Sequence, residues 1–383
     1  MNVVPRCAAA LSRHPVPVEA LGEVAGELLE QFGGERPDLV VVFASVHHHG
    51  AFEDLVRGLR RLLEPEALIG TVAAGIAGGT REIEEEPALS VFAATLGEGA
   101  ARGFLLGADH DGDEITITGW PSDLPSGSAL LVLADPYSFP VAEFLRGCDR
   151  DGVIVAGGLA SAAVRPGGNR LALDDRVVTD GAVAVALDAS IIVHTIVSQG
   201  CRPVGAPLTV TAADGTLVAQ LGGQPALDRL REVVADASDA DRELLRAGVH
   251  VGVVVDEHRM EFGRGDFLVR NVLGADRDRG ALAIGERVEI GQTMQFHVRD
   301  AASADDDLRA LLAGRRADGA LLFTCNGRGA RFFGVADHDT GVVDELLGPI
   351  PLAGMFCAGE IGPVGHRSFV HGFTASVVLF GAG

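Results

Sequence analysis

One order of structural elements recurs three times along the chain. Each copy begins with a continuous apolar run, typical of a strand buried on both faces, and continues with a polar loop, a helical segment, a second strand, a glycine-rich turn and a closing strand. The first strands are Leu39–Ala44, Ala129–Ala134 and Ala320–Phe323. This recurrence predicts three related folding units whose loops and glycine turns occupy equivalent positions.

The loops after the first strands differ in their chemistry. They are Ser45–Gly50, Asp135–Phe139 and Thr324–Gly329. The glycine turns follow the second strands, and they contain Gly75, Gly78 and Gly79, then Gly157 and Gly158, then Gly359–Gly365. Glycine at such positions favours tight turns or close strand packing, so we expect the three units to share one strand order.

The segment between the second and third copies has a different pattern. A helical stripe follows Pro225, and strands are predicted at Val249–Val255, Phe267–Arg270, Glu286–Ile290 and Thr293–Val298. The predicted fold is mixed α/β, with two tightly packed domains built from repeated strand-loop-helix-strand units and mixed sheets. We place an N-terminal segment with an amphipathic helix at 1–36, a first domain at 37–223 and a second at 224–383.

Charge and composition exclude several functions. The formal net charge of −22 argues against nucleic acid and against anionic membranes as partners. Every basic side chain apart from histidine is arginine, because the sequence contains no lysine. A pyridoxal phosphate Schiff base, a P-loop lysine and a Ser-x-x-Lys acyl-transfer site are therefore excluded.

The cysteines indicate a reducing compartment. The five cysteines are widely spaced and form no C-x-x-C pair, which favours neither a disulfide framework nor a cysteine zinc site. The start of the chain lacks an apolar segment of signal-peptide length, and no later stretch is long enough to span a membrane. We expect a cytoplasmic protein of unknown oligomeric state.

Six motifs in order carry a resemblance to a known family. They are Ile69-Gly70-Thr71 through Gly75, Val155–Gly158, Ser198–Gly205, Arg270–Gly274, Cys325–Gly329 and Gly359–Pro363. Together they resemble the FIST family, in its order of FIST N and then FIST C, and the absence of an F-box or transmitter segment matches a stand-alone bacterial-type member. The resemblance implies a sensory protein in intracellular signalling that binds small ligands, with amino acids or related carboxylates expected, and a signalling protein as a further partner.

The third loop and the third glycine turn supply the candidate ligand residues. Arg328 could hold a carboxylate through two parallel hydrogen bonds, and Glu360 could hold an ammonium group, which together would suit an amino acid. The alternative is that Arg328 and Glu360 pair with each other and lock two loops. The full predicted ligand set is Thr324, Cys325, Asn326, Gly327, Arg328, Gly359, Glu360, His371 and His48.

Two other classes of function stay open. Cys325 could be the nucleophile of a thiol-dependent hydrolase or transferase, with His371 or His366 as base and Glu360 as orienting group, or it could be only a small buried side chain. The chain could also be an interaction scaffold without a small ligand. We therefore leave the question of enzyme activity undecided, with no catalytic residue assigned and binding favoured over catalysis.

Neither a metal nor an organic cofactor is predicted. His47, His48 and His49 are adjacent and point alternately to opposite sides of an extended loop, so they cannot easily hold one ion. Gly327-Arg328-Gly329 begins like a dinucleotide fingerprint, but Phe332 stands where the third glycine belongs. The carboxylates Glu82 and Glu84–Glu86 are interpreted as a solvated loop.

Overall fold

A computed structural model describes residues 5–97, 99–112, 114–121, 123–259 and 261–381. The chain divides into two units, which are treated separately below. Unit 1 contains Met1–Val197, Leu308–Val370 and Thr374–Gly383, and unit 2 contains Ser198–Asp307 and His371–Phe373. The domain boundary that we predict from the sequence, between residues 223 and 224, lies inside unit 2. The boundary therefore remains a prediction.

Three mixed sheets form unit 1, one for each copy of the repeat. In spatial order the first sheet contains β1 (Arg6–Ser12), β6 (Leu89–Thr95), β2 (Leu39–Ser45), β3 (Ala67–Ala73), β11 (Leu171–Leu173) and β12 (Arg176–Val178). The second contains β8 (Glu114–Thr118), β7 (Ala101–Asp111), β13 (Ala182–Leu187), β9 (Ala129–Ala134), β10 (Ile154–Leu159), β24 (Glu360–Val364) and β25 (Arg367–His371). The third contains β14 (Val193–Gln199), β26 (Thr374–Phe380), β22 (Gly319–Cys325), β23 (Leu352–Cys357), β4 (Ile76–Gly78) and β5 (Arg81–Ile83).

The three sheets share one internal order of strands. In each copy the first strand lies between the closing strand, which is antiparallel to it, and the second strand, which is parallel to it. The resulting triplets are β6-β2-β3, β13-β9-β10 and β26-β22-β23. The hypothesis of three structural repeats is therefore confirmed.

The copies are interlocked because each hairpin after a second strand joins the sheet of another copy. The β4–β5 hairpin of the first copy pairs with β23, and β11 of the second copy pairs with β3. The third copy completes the exchange, since β24 pairs with β10. Each sheet thus needs a strand from elsewhere in the chain to cover its edge.

A glycine recurs in the second strand of every copy, beside the middle of the first strand. These glycines are Gly70, Gly157 and Gly354, and their register partners are Val42, Val132 and Leu322. A Cβ atom on the glycines would lie 2.7, 1.9 and 2.2 Å, respectively, from the partner's carbonyl oxygen. Gly157 and Gly158 accordingly lie within β10 and do not form a turn, because close strand packing requires glycine there.

Each sheet of unit 1 has one face toward a shared central core and one toward helices. Alternate residues of β2, β9 and β22 fill the central core, where Phe43 and Phe323 meet edge to face at 5.9 Å. The other residues of these strands pack under helices. The helices of unit 1 are α1 (Pro17–Phe32), α2 (Phe52–Leu63), α3 (Val141–Asp151), α7 (Ala330–Phe333) and α8 (His338–Leu347), together with the end of α6 (Ala301–Leu312).

Unit 2 is built around a closed ring of antiparallel strands. Its order is β15 (Cys201–Asp214), β21 (Thr293–Arg299), β18 (His250–Val254), β19 (Phe267–Asp276), β20 (Ala281–Ile284) and β16 (Leu217–Leu221), and β16 returns to β15. The short β17 (Gln224–Pro225) leads into α4 (Ala226–Asp236), and α5 (Asp239–Ala247) follows. The strand predicted at Glu286–Ile290 is wrong, because this segment is irregular and only its Val288 side chain enters the core.

Candidate functional site

The end of the central core differs chemically among the three copies. The partners of the recurrent glycines, Val42, Val132 and Leu322, occupy equivalent positions in the three first strands. Three residues further along lie Ser45, Asp135 and Cys325, which are therefore also equivalent. Each of them lies two residues beyond a core side chain. The Ser45 hydroxyl oxygen accepts from the Ala88 amide at 3.0 Å, and Asp135 accepts from the Asn169 amide at 2.8 Å. Only the third copy places a half-buried thiol here.

Glu360 is the second distinctive residue of the third copy. It pairs with Gly158, one residue after the shared glycine, and the equivalent residues of the other two hairpins are Ile76 and Leu171. Both lie in the central core. The adjacent Ile361 packs on the helix-facing side, so alternation turns Glu360 toward the central side as well. An acid therefore replaces an aliphatic side chain.

The Glu360 carboxyl group is only half satisfied. It is fully buried, and its Oε2 atom accepts hydrogen bonds from the Thr374 amide at 3.1 Å and hydroxyl at 2.8 Å. Its Oε1 atom is buried without a partner among the described residues. Burial raises the pKa of Glu360 to about 8, although the Thr374 hydrogen bonds and the Arg328 charge oppose this rise. Glu360 is therefore mainly protonated at neutral pH.

Arg328 is fully buried and already bound by a carboxylate. Its Nε atom donates to Oδ2 of Asp339 at 3.0 Å, and its Nη2 atom donates to Oδ1 at 2.9 Å. Its guanidinium also lies over the Phe333 ring at 5.1 Å. Burial would lower the pKa of Arg328, but the Asp339 charge and hydrogen bonds raise it overall. The Nη1 atom is buried and has no partner among the described residues.

Asp339 organises this ion pair. Besides Arg328, it accepts from the Thr324 hydroxyl at 2.7 Å, and His338 Nδ1 lies 3.0 Å from its Oδ1. Burial raises the pKa of Asp339, but the Arg328 charge and these hydrogen bonds outweigh burial and hold the pKa below its usual range. The carboxylate thus stays ionised and fixes α8 to the third loop.

The expected ligand residues lie in several places. The alternative of a direct Arg328–Glu360 pair is wrong, since Arg328 binds Asp339 and Glu360 binds Thr374. The other predicted ligand residues of the third loop and turn differ in exposure. Cys325 and Gly327 are half-buried, Asn326 is exposed, and Thr324 and Gly359 are buried.

The two histidines of the predicted ligand set lie elsewhere. His48 is fully buried in the first copy's loop, and its ring nitrogens have no partner among the described residues. Burial, followed by the His47 charge, lowers the pKa of His48. His371 is buried and belongs to unit 2. His366, the other candidate base, is exposed beside β25. A catalytic Cys325–histidine arrangement stays a prediction.

The predicted solvated carboxylate loop is only partly correct. Glu82 accepts from the Thr340 amide at 2.8 Å, and Glu84 accepts from the Ala330 amide at 2.7 Å, because each carboxylate reaches the unpaired amides at a helix start. Burial, with the Asp339 charge, raises the pKa of Glu82 to about 8. Glu85 and Glu86 are exposed, and they border a cleft of about 440 Å³ with Arg81.

The sequence matches two family models in succession. The FIST N domain model covers residues 38–224, and the FIST C domain model covers residues 226–363. The chain belongs to the FIST family. FIST domains are associated with signal transduction and are proposed to sense small ligands.

Mycobacterial proteins are similar to this FIST chain over nearly its whole length. The uncharacterized protein Mb0898c of Mycobacterium bovis is 47% identical over 94% of this chain and 95% of its own length. The uncharacterized protein Rv0628c of Mycobacterium tuberculosis is 45% identical over 98% of this chain and 99% of its own length. These relatives extend the family assignment and add no activity.

Two features of the described residues of the FIST chain bear on membranes and metals. None of the helices there combines the length and apolarity needed to cross a bilayer. Within the same residues, no group of three or more histidine, cysteine, aspartate or glutamate side chains could hold a metal ion.

Proposed function

We propose that this FIST protein binds a small ligand with a carboxylate or a similar acceptor group, such as an amino acid, at the end of the central core in the third copy. We call this place the Glu360 site and define it by Glu360, Arg328, Thr374, Cys325 and Cys357. Burial raises the pKa of Cys357, and the Glu360 and Cys325 charges add to this rise, as expected for groups that lie near one another.

The proposal rests on Oε1 of Glu360, a buried oxygen with no hydrogen-bond partner in the described part of the chain. A buried carboxyl oxygen without a hydrogen bond costs free energy, and native proteins rarely keep one without a reason. Packing does not require a carboxyl group at this position, because the aliphatic side chains of Ile76 and Leu171 fill the equivalent positions in the other two hairpins. A ligand that hydrogen-bonds to Oε1 would supply the reason.

The expected ligand group follows from the two unsatisfied atoms. A protonated Glu360 can donate from Oε1, and Arg328 can donate from Nη1, so both atoms favour an acceptor such as a carboxylate oxygen. We expected Arg328 to donate two parallel hydrogen bonds to a ligand, but it already donates them to Asp339. The ligand would therefore receive one hydrogen bond from each side chain.

Binding of a ligand's ammonium group to Glu360 would depend on pH in the opposite sense to binding of its carboxylate. An ionised Glu360 would bind an ammonium group, so affinity would then rise as pH increases through about 8. A carboxylate that accepts from protonated Glu360 would instead bind more weakly above that pH. The same titration thus separates the two orientations of an amino acid.

A thermal-shift screen with a matched variant tests the proposal. Wild-type protein is heated with each standard amino acid and with small monocarboxylates, because a ligand bound only by the folded state raises the melting temperature. The control is Glu360→Leu, which copies Leu171 of the second copy and should keep the fold. We expect stabilisation of wild type that Glu360→Leu loses. Equal stabilisation of both proteins, or none with any compound, would reject the proposal.

The family association with signal transduction supports a downstream protein partner. A change in the Glu360 site would reach such a partner through the third loop, where Asn326 is exposed.

A further inference from the structure

Two cysteines of the third copy stand side by side. Cys325 ends β22 and Cys357 ends β23, and the two residues are register partners in a parallel pair of strands. Cys325 continues the face of Phe323, and Cys357 continues that of Met355, both of which lie in the central core. Both side chains therefore point to the same side of the sheet.

The spacing of such neighbours suits a disulfide. Adjacent strands lie about 4.8 Å apart, which falls within the range of Cα separations that a disulfide bridges. Neither cysteine is in a disulfide in this structure. The backbone spacing of the pair is therefore compatible with a disulfide bond.

Packing alone does not explain the pair. In the first copy the equivalent pair is Ser45 opposite Ala73. In the second copy the equivalent residues are Asp135 and Ala160, which come directly after the register pair Ala134 and Leu159. These copies build the same strand triplet without a thiol. The two cysteines are therefore a feature of the third copy and not a requirement of the repeat.

The surroundings give the two thiols different accessibility. Cys325 is half-buried, and its charge is one cause that raises the pKa of Arg328, so a Cys325 thiolate would be attracted to that guanidinium. Cys357 is fully buried, and burial raises its pKa well above the usual value, with the Glu360 and Cys325 charges adding to the effect. An oxidant from solvent therefore meets Cys325 first.

We propose that Cys325 and Cys357 form a redox-sensitive dithiol that hydroperoxides convert to a disulfide. In the first step the Cys325 thiolate attacks the peroxide oxygen; the O–O bond breaks, the thiol becomes a sulfenic acid and the peroxide is reduced to water or an alcohol. In the second step Cys357 sulfur attacks the Cys325 sulfur; the S–S bond forms, the S–O bond breaks, and the hydroxyl leaves with the Cys357 proton as water. A dithiol reductant restores the two thiols by exchange and is itself oxidised to a disulfide.

The other cysteines provide the comparison. Cys7 is half-buried like Cys325, but its register partner is Ala94, and burial with the Asp318 charge raises its pKa to about 12. Cys148 and Cys201 are buried. Cys7 is therefore the matched control for a thiol of similar exposure without a neighbouring cysteine.

The test is peroxide treatment of the folded chain, followed by thiol counting and mass spectrometry. Trypsin separates the cysteines into peptides 317–328 and 332–367, because it cleaves after Arg316, Arg328, Arg331 and Arg367. We expect the free thiols to fall from five to three, with these two peptides joined, and to return to five after reduction. Cys7→Ser should still lose two thiols.

The variants make each outcome decisive. Cys357→Ser should leave Cys325 as a sulfenic acid that a dimedone-type reagent captures, while Cys325→Ser should keep all its remaining thiols over the same period. Retention of all five thiols in wild type, a sulfenic acid on Cys325 despite the presence of Cys357, or a disulfide to another cysteine would each overturn the proposal. None of these readouts depends on ligand binding.

Discussion

Arg328 and Glu360 are both fully buried, and each is held by a residue from another element. Asp339 in α8 binds Arg328, and Thr374 in β26 binds Glu360. Arg328 was recognisable because glycines flank it after a buried strand, and Glu360 because it stands in the third glycine turn. Asp339 lies in α8 and has no local signal that would mark it as the partner of Arg328. A contact between a loop and a helix depends on how the helix packs, so residue spacing could not predict it.

The Arg328–Asp339 pair should be essential for stability. Asp339→Asn removes the charge that balances a fully buried guanidinium, and such a loss costs about 3–5 kcal/mol of unfolding free energy. Denaturant unfolding of the single variant measures this cost. The double variant Arg328→Met with Asp339→Leu should recover most of it. A single variant as stable as wild type would contradict the burial of this pair.

Glu360 should give the protein a pH-dependent stability. Its pKa is about 8 in the folded state against 4.5 for an ordinary glutamate, so the folded state binds more protons between these values. The unfolding free energy should therefore fall as pH rises from about 4.5 to about 8, and Glu360→Gln should reduce this slope. Melting temperatures across this pH range provide the check. Glu82 contributes in the same direction and remains in both proteins.

At the scale of elements, long apolar runs were predictable and short pairing strands were not. The runs that became β2, β9 and β22 are buried on both faces, so their composition alone indicates them. The N-terminal β1 was missed because its RCAAALS sequence is rich in alanine and forms a strand only by pairing with β6. The strands of the exchanged hairpins have three to five residues each, too few for a periodic signal.

The recurrent glycines should tolerate no side chain. Gly157→Ala and Gly354→Ala would each drive a methyl group into a carbonyl oxygen of the neighbouring strand, and overpacking of this kind costs about 1–3 kcal/mol or more. The control is Gly22→Ala in α1, where a Cβ meets no atom within 4 Å and should stabilise the helix by about 0.5–1 kcal/mol. Thermal unfolding of the three variants should show opposite signs. If only Gly22→Ala destabilised the protein, the close strand packing inferred at Gly157 and Gly354 would be refuted.

At the scale of the whole molecule, the repeat was visible in the sequence, whereas the exchange of hairpins was not. Recurrence of an element order predicts related units, but it does not say which unit receives each hairpin. The exchange has a consequence for the family domains, because β24 lies in the FIST C segment and pairs with β10 of the FIST N segment. Strand β4 of FIST N likewise pairs with β23 of FIST C.

The two family segments should therefore fold poorly when they are separated. Residues 1–223 alone would leave β10 and the β4–β5 hairpin without their partners, and exposed strand edges promote aggregation. We expect this fragment to be insoluble, and co-expression with residues 224–383 to recover a soluble complex. Soluble yield and co-purification measure the effect. A monomeric, cooperatively folded 1–223 fragment would show that the exchanged strands are dispensable.

We propose that the third copy holds a small ligand between Arg328 Nη1 and Glu360 Oε1, two buried polar atoms that lack hydrogen-bond partners among the described residues. A crystal structure grown with the strongest-binding carboxylate from the thermal-shift screen tests this proposal. We predict a ligand oxygen at a hydrogen-bond distance of about 3 Å from both Arg328 Nη1 and Glu360 Oε1. A ligand bound elsewhere, with these two atoms joined only by water or by each other, would contradict the claim.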